Sequence, residues 1–114
     1  MNEYRRSRRR SAAHPIAVRD AMTGEEVGRI GNLSESGLLL IGGAPLTEDA
    51  LYQFRFTLEV GDVRRTLEVG AHQLWSDSAS TPGQFWVGFR FIDIAPDAVA
   101  HVRAWIDAPG GQYV

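Results

Sequence analysis

Nine residues at positions 52–60 alternate between apolar and polar side chains without interruption. One side of the extended chain carries the apolar members, which are Tyr52, Phe54, Phe56, Leu58 and Val60. A period of two over nine residues predicts a half-buried β-strand. Gly61 and Asp62 follow, and the alternation then resumes at 63–75. The two runs therefore predict a β-hairpin closed by a tight Gly-Asp turn.

Shorter apolar runs bounded by turn residues predict further strands at 14–20, 26–33, 37–42 and 85–91, with a polar loop at 76–83. Pro96 opens a segment in which Ala98, Val102 and Trp105 recur at helical spacing, which predicts an amphipathic helix over 96–107. About six antiparallel strands and one C-terminal helix predict a mainly β fold. We expect a small closed barrel capped by the helix, with Phe54, Phe56, Phe89 and Phe91 in its core, because closure removes exposed sheet edges.

The charge of the chain is divided unevenly. Residues 1–19 hold six arginines and one acid, a net charge of +5, whereas residues 20–114 hold six arginines and thirteen acids, a net charge of −7. There is no lysine. This division predicts a flexible basic arm at 1–13, one folded domain at 14–108 and a disordered tail at 109–114.

Neither a membrane span nor a signal peptide is expected. The longest apolar run, 38–41, is far too short to span a bilayer, and no apolar stretch follows the N-terminal arginines. The sequence has no cysteine, so it predicts no disulfide and no thiolate metal site. The expected location is the cytoplasm.

No pattern in the sequence indicates catalysis. The three histidines have no partner at metal-ligand spacing, and no serine lies in a G-x-S-x-G elbow. The glycines at 24–31 lie between predicted strands, so they do not form a phosphate loop that leads into a helix. We therefore expect a binding protein that is not an enzyme and that has no cofactor and no metal.

Two short motifs carry the chemistry of binding. In the arm, Arg5 and Arg9 are separated by three residues, and so are Arg6 and Arg10. About twenty residues later, "NLSESG" at 32–37 falls where one predicted strand turns into the next. Guanidinium groups bind phosphate and the O6/N7 edge of guanine in bidentate fashion, and they stack on purines. The arm is thus suited to an anionic guanine nucleotide.

Together the two motifs resemble those of the PilZ domains, a bacterial family with R-x-x-x-R near the N-terminus followed by [D/N]-x-S-x-x-G. The strand after the second motif, "WVGFRFID" and the closing helix also resemble this family, so the likeness covers most of the chain. It implies a six-stranded barrel with a C-terminal helix, and cyclic di-GMP as the ligand. The site that it implies consists of Arg5, Arg6, Arg9, Arg10, Asn32, Ser34 and Gly37.

The types of residue in the second motif also suit this ligand. Asn32 can accept from a guanine N–H, Ser34 can donate to a phosphate or a base, and Gly37 can adopt a positive φ or let the backbone approach the ligand. The outward-facing Trp86 and Arg90 are candidates to flank the ligand. The alternative is structural, since Asn32 and Ser34 can instead cap a turn through bonds to the backbone. Both arginine registers, Arg5/Arg9 and Arg6/Arg10, stay open.

The sequence therefore predicts a cyclic di-GMP sensor whose arm folds over the barrel and which regulates a protein partner. By the resemblance, the output is motility, biofilm formation or exopolysaccharide production. One alternative is an interaction module of the same fold that binds no nucleotide. Another is non-specific binding of nucleic acid by the arm, which the acidic body disfavours. The number of bound ligands, the downstream partner and the formation of a homodimer are left open by the sequence.

Overall fold

The computed structural model describes residues 7–43 and 49–114, which form seven β-strands and one α-helix. The elements are β1 (Arg10–Ser11), β2 (Ala17–Asp20), β3 (Glu26–Leu33), β4 (Gly37–Gly42), β5 (Leu51–Val60), β6 (Val63–Ser78), β7 (Phe85–Asp93) and α1 (Pro96–Asp107). The strands predicted at 26–33 and 37–42 and the helix predicted at 96–107 are confirmed with the same bounds.

Several predicted boundaries differ from the observed ones, most of all at the start of β2 and the end of β6. The first predicted strand began at His14, but β2 begins at Ala17, because Pro15 has no N–H with which to enter a ladder. The loop predicted at 76–83 is shorter, since Ser76–Ser78 continue β6 and pair with Phe85–Val87 of β7. Polar side chains at these positions are compatible with a strand whose outer face is in water.

Six of the strands close into an antiparallel barrel. Going around it, the order is β2, β5, β6, β7, β4 and β3, and β3 pairs back with β2. The predicted six-stranded barrel with a C-terminal helix is confirmed, and β1 is an additional short strand. β1 lies along the same edge of β3 as β2, and pairs Arg10 with Leu33 and Ser11 with Asn32. The arm is thus joined to the barrel beside Asn32.

The core is formed by the inward side of the strands and one face of α1. Phe54 and Phe89 meet edge to face with their ring centroids 4.9 Å apart, and Phe56 is buried beside them. Phe91, predicted to lie in the core, is only partly buried. The helix contributes Ala98, His101, Val102, Trp105 and Ile106. The buried His101 contacts the backbone of β5, since its Nε2 lies 3.1 Å from the carbonyl oxygen of Leu58.

Two β-bulges change the side to which the following residues point. In β3 the register shifts between Ile30 and Asn32, so Ile30 and Leu33 both enter the core and Asn32 faces the other way. In β6 the register shifts between Gln73 and Trp75, which leaves Gln73 inside and Trp75 outside. A bulge inserts one residue and changes the direction of its neighbours, and these two turn the side chains of Asn32 and Trp75 away from the barrel core.

The described part of the C-terminal tail lies against the arm. Ser11 donates through its backbone N–H to the carbonyl oxygen of Gln112 at 2.8 Å, and Val114 donates to that of Arg9 at 3.0 Å. Flexibility of the arm, disorder of the tail and the boundary between arm and domain stay predictions. No helix in the described ranges has both the length and the apolar character needed to cross a bilayer.

Candidate functional site

The centre of the site is a contact between the arm and the barrel. The Arg9 guanidinium donates through Nη1 to Oδ1 of Asn32 at a distance of 2.7 Å. Both residues are at least partly buried, and the structure gives Arg9 no carboxylate partner among the residues it describes. Burial lowers the pKa of the Arg9 guanidinium, because partial loss of water disfavours the charged form. Arginine nevertheless stays protonated, so Arg9 presents a charged hydrogen-bond donor at this place.

A surface pocket of about 260 Å³ opens beside this contact. It is lined by Arg9, Asn32, Leu38, Leu39, Leu74, Trp75, Gly88 and Phe89. Its volume is below the roughly 300–1,000 Å³ of pockets that enclose a drug-sized ligand. The pocket therefore suits one planar group of a larger ligand that otherwise lies on the surface.

Trp75 forms one wall of the pocket. Gly88 lies opposite Trp75 in the β6–β7 ladder, and a Cβ at Gly88 would overlap Nε1, Cε2 and Cζ2 of the indole. Trp75 is nonetheless 46% exposed. An indole that rests on a glycine and still faces water offers a surface on which a base can stack.

Ser34 and Gly37 shape the turn between β3 and β4. Ser34 is fully buried, and its Oγ lies 3.0 Å from Oγ of Ser36 and 3.3 Å from the carbonyl oxygen of Gly37. Gly37 does not use the positive φ that glycine permits. Glycine is required there for space, because a Cβ would overlap the carbonyl oxygen of Phe89 on β7. In this conformation Ser34 and Gly37 stabilise the turn that presents Asn32.

Arg10 points away from Asn32 and toward the end of α1. Its guanidinium lies 4.9 Å from the Trp105 ring centroid and donates to the carbonyl oxygens of Trp105 and Ala108. The last turn of α1 has no basic residue of its own, so Arg10 supplies the cation that helix C-termini favour. Arg5 and Arg6 lie outside the described residues.

The two predicted flanking residues lie on either side of the pocket without lining it. Trp86, Gly88 and Arg90 share the outer face of β7, and Gly88 is between the other two. Trp86 lies near Gly31 and the side chain of Ile41, while Arg90 is exposed. A contact of either with a ligand stays a prediction.

A larger cleft, of about 520 Å³, opens between β2 and β5, where the ladder ends after two residue pairs. Several arginines line it, among them Arg55 and Arg64. These two are already paired with Glu68 and Glu59, at 2.8 and 3.6 Å. The Arg55 guanidinium also lowers the pKa of Glu68 through its hydrogen bond. The cleft is therefore a less suitable anion site than the pocket at Arg9.

The sequence alone does not indicate a site role for Trp75, Leu39, Leu74 and Gly88, because only the register of the two bulged strands brings them to Arg9. The one available signal was Gly88, a glycine between two outward-facing residues, which indicates that a neighbouring group crosses the strand there. As for metals, no three histidine, cysteine or carboxylate side chains in residues 7–43 and 49–114 are grouped so that they could hold an ion.

Comparison with known proteins identifies the family. The model of the family described as "PilZ domain" matches residues 3–108, which is most of the chain. No curated protein sequence matches this chain.

Solved structures that share the fold include the following three. The inhibitor of motility MotI/DgrA of Bacillus subtilis superposes with a TM-score of 0.73 at 14% identity, over 93% of this chain and 50% of that one. This chain thus spans half the length of MotI. The PilZ domain of Escherichia coli YcgR with c-di-GMP superposes with a TM-score of 0.68 at 15% identity, over 90% of this chain and 88% of that domain. YcgR of Escherichia coli in complex with c-di-GMP superposes with a TM-score of 0.69 at 20% identity, over 87% of this chain and 42% of that one.

Proposed function

Since the chain belongs to the PilZ domain family, we propose that it is a cyclic di-GMP receptor that regulates a partner protein when the ligand binds. PilZ domains are binding domains, and two of the structures with this fold are of YcgR with c-di-GMP. The observation that carries the proposal is the contact between Arg9 and Asn32. It joins the two sequence motifs, 23 residues apart, at one pocket on the barrel surface.

Arg9 and Asn32 present complementary groups for the edge of a guanine. The Arg9 guanidinium can donate in bidentate fashion to O6 and N7, and Oδ1 of Asn32 can accept from a ring or amino N–H of the base. The exposed indole of Trp75 lies beside them as a stacking surface. A base that binds between these groups would replace the hydrogen bond between Arg9 and Asn32 with hydrogen bonds from each residue to the base.

The direction of the arm favours one arginine register. Arg9 lies at the pocket, and its motif partner, four residues earlier in the sequence, is Arg5. Arg10 is occupied at the end of α1, and its own motif partner is Arg6. We therefore propose that Arg5 and Arg9 contact the ligand, with Arg5 available for the phosphates or the second base.

The finer parts of the function rest on the resemblance and on the comparisons. MotI is named an inhibitor of motility, which supports motility as an output, alongside biofilm formation and exopolysaccharide production. The proposal includes action in the cytoplasm and a downstream protein partner, with Ser34 and Gly37 shaping the turn that binds the ligand.

Isothermal titration calorimetry with cyclic di-GMP tests the proposal. The unaltered protein is expected to bind in the micromolar range or more tightly, and GTP at equal concentration is expected not to compete. Trp75→Ala is expected to weaken binding about 10-fold or more, since base–aromatic stacking contributes about 1–3 kcal/mol. Arg64→Ala, which removes an exposed arginine at the far hairpin, is the control and should leave affinity unchanged.

If the unaltered protein gives no heat with cyclic di-GMP while remaining folded, the receptor function is wrong. The interaction module without a nucleotide then becomes the better description. Competition by GTP or by a random oligonucleotide would instead indicate that the arm binds phosphates without selecting guanine edges.

A further inference from the structure

The two ends of the described chain are held together by a set of specific contacts. We call residues 108–114 the C-terminal segment. Arg8 forms an ion pair with Asp107 at the end of α1, and its guanidinium lies 4.5 Å from the ring centroid of Tyr113. The hydroxyl of Tyr113 donates to the carbonyl oxygen of Ile106. Arg10 and Tyr113 also form an isolated antiparallel bridge.

The arm places its side chains on two different sides. Arg8 and Arg10 point to α1 and the C-terminal segment, whereas Arg9, between them, points to Asn32. This is the alternation of an extended chain, in which successive side chains face opposite ways. Whatever holds Arg8 and Arg10 in place therefore also fixes the direction of Arg9.

We propose that the C-terminal segment is a positioning element of the ligand site, which holds the arm so that Arg9 faces Asn32 before the ligand arrives. This inference rests on the proposed function. Neither Arg8 nor the C-terminal segment lines the pocket at Arg9, so their effect on binding is indirect. Tyr113 is the key positioning residue, because it contacts Arg8 with its ring and α1 with its hydroxyl.

The physical basis is the conformational entropy of the arm. A loose arm must be ordered when the ligand binds, and that cost reduces the affinity. An arm already paired with the C-terminal segment has lost much of this freedom. Releasing it is expected to weaken binding about 10-fold, which corresponds to about 1.4 kcal/mol, the cost of ordering one residue of backbone.

Tyr113→Ala tests this role without changing the charge of the protein. We expect it to weaken cyclic di-GMP binding about 10-fold, with a less favourable binding entropy and an unchanged dependence of affinity on salt concentration. Tyr113→Phe keeps the ring beneath Arg8 and is expected to restore most of the affinity. Unchanged affinity in Tyr113→Ala would overturn the proposal. So would tighter binding, because the segment would then compete with the ligand.

Hydrogen exchange in the ligand-free protein separates this inference from the proposed function. The Ser11 amide donates to Gln112, whereas the Ala12 amide donates to Gly31 of β3. Tyr113→Ala is expected to speed exchange at Ser11 at least 10-fold and to leave the Val69 amide in the barrel core unchanged. Equal exchange at Ser11 in both proteins would refute the positioning role. Failure of the unaltered protein to bind cyclic di-GMP would refute only the receptor function and the part of this inference that concerns affinity.

Discussion

Arg9 and Arg10 are adjacent in sequence and have different surroundings. Arg9 is half-buried beside a neutral amide, and Arg10 satisfies carbonyl oxygens at the end of α1. Sequence spacing alone cannot separate the two, since each has an arginine four residues earlier. The difference follows from the pairing of β1 with β3, a long-range contact that determines which side of the arm meets Asn32.

Substituting each of these arginines in turn distinguishes the two registers. Arg9→Ala is expected to weaken cyclic di-GMP binding at least 10-fold, because a hydrogen bond to a charged group contributes about 1.5–3 kcal/mol. Its melting temperature is expected to fall less than that of Arg10→Ala, because the lost partner is a single amide. Titration calorimetry and thermal unfolding measure the two effects.

Arg10→Ala serves as the comparison. It removes the bonds to Trp105 and Ala108 and the cation–π contact, so it is expected to destabilise the fold by about 1–2 kcal/mol and to weaken binding less than Arg9→Ala does. The reverse result, with binding lost in Arg10→Ala and kept in Arg9→Ala, would assign the site to the Arg6/Arg10 register.

At the scale of the elements, alternation, short apolar runs and helical spacing were enough to predict the six barrel strands and the helix. The run at 52–60 and the helical spacing at 98, 102 and 105 each agree with the observed burial. The bulges could not be predicted from the sequence, because a shift of one residue does not change the composition of a strand. The shift nevertheless reverses the side of the sheet to which every later side chain points. Asn32 was found through its motif, whereas Trp75 has no motif and depends on a bulge in β6.

The first turn of α1 is tied to β6 by a pair that should respond to pH. Arg65 donates to the Asp97 carboxylate at 2.8 Å, and this hydrogen bond lowers the pKa of Asp97. A carboxyl whose pKa is lower in the folded state adds stability above its unfolded pKa, near about 3.9. That stability is lost as the pH falls through the folded value.

Asp97→Asn is therefore expected to reduce the free energy of unfolding at pH 7 by a small amount that vanishes in strong acid. Urea denaturation at pH 7 and at a series of decreasing pH values measures how this difference declines in acid. The control is Asp62→Asn, in the exposed β5–β6 turn, which has no ion pair within the described chain and should change little at pH 7. A deficit in Asp97→Asn that persists in acid would indicate lost packing rather than lost charge.

At the scale of the whole molecule, the structure shows how the basic arm lies on the acidic body. The basic arm does not extend as a free polycation through its described residues, since Arg8 and Arg10 are held against the acidic body and Arg9 lies at a pocket. A long polyanion would have to displace the first two contacts and would also meet a body of net charge −7. A compact ligand with two phosphates can reach Arg9 without disturbing them.

Thermal unfolding with different ligands tests this selectivity. A ligand that binds only the folded state at 100 times its Kd adds about 2.7 kcal/mol of stability. For a domain of this size, cyclic di-GMP at that concentration is expected to raise Tm by on the order of 10 °C. The shift should decline only modestly between about 50 and 200 mM salt, because few phosphates are contacted.

A random single-stranded oligonucleotide and GTP are the controls, and each is expected to shift Tm by less than about 2 °C at the same concentration. An oligonucleotide shift as large as that of cyclic di-GMP, which falls steeply with salt, would show that the arm acts as a general phosphate binder. The selectivity that we expect for the cyclic dinucleotide has a simpler cause. Among the described arginines of the arm, Arg9 is the one turned to the barrel surface, and it lies beside an amide and an indole, groups that recognise a base edge and a base face.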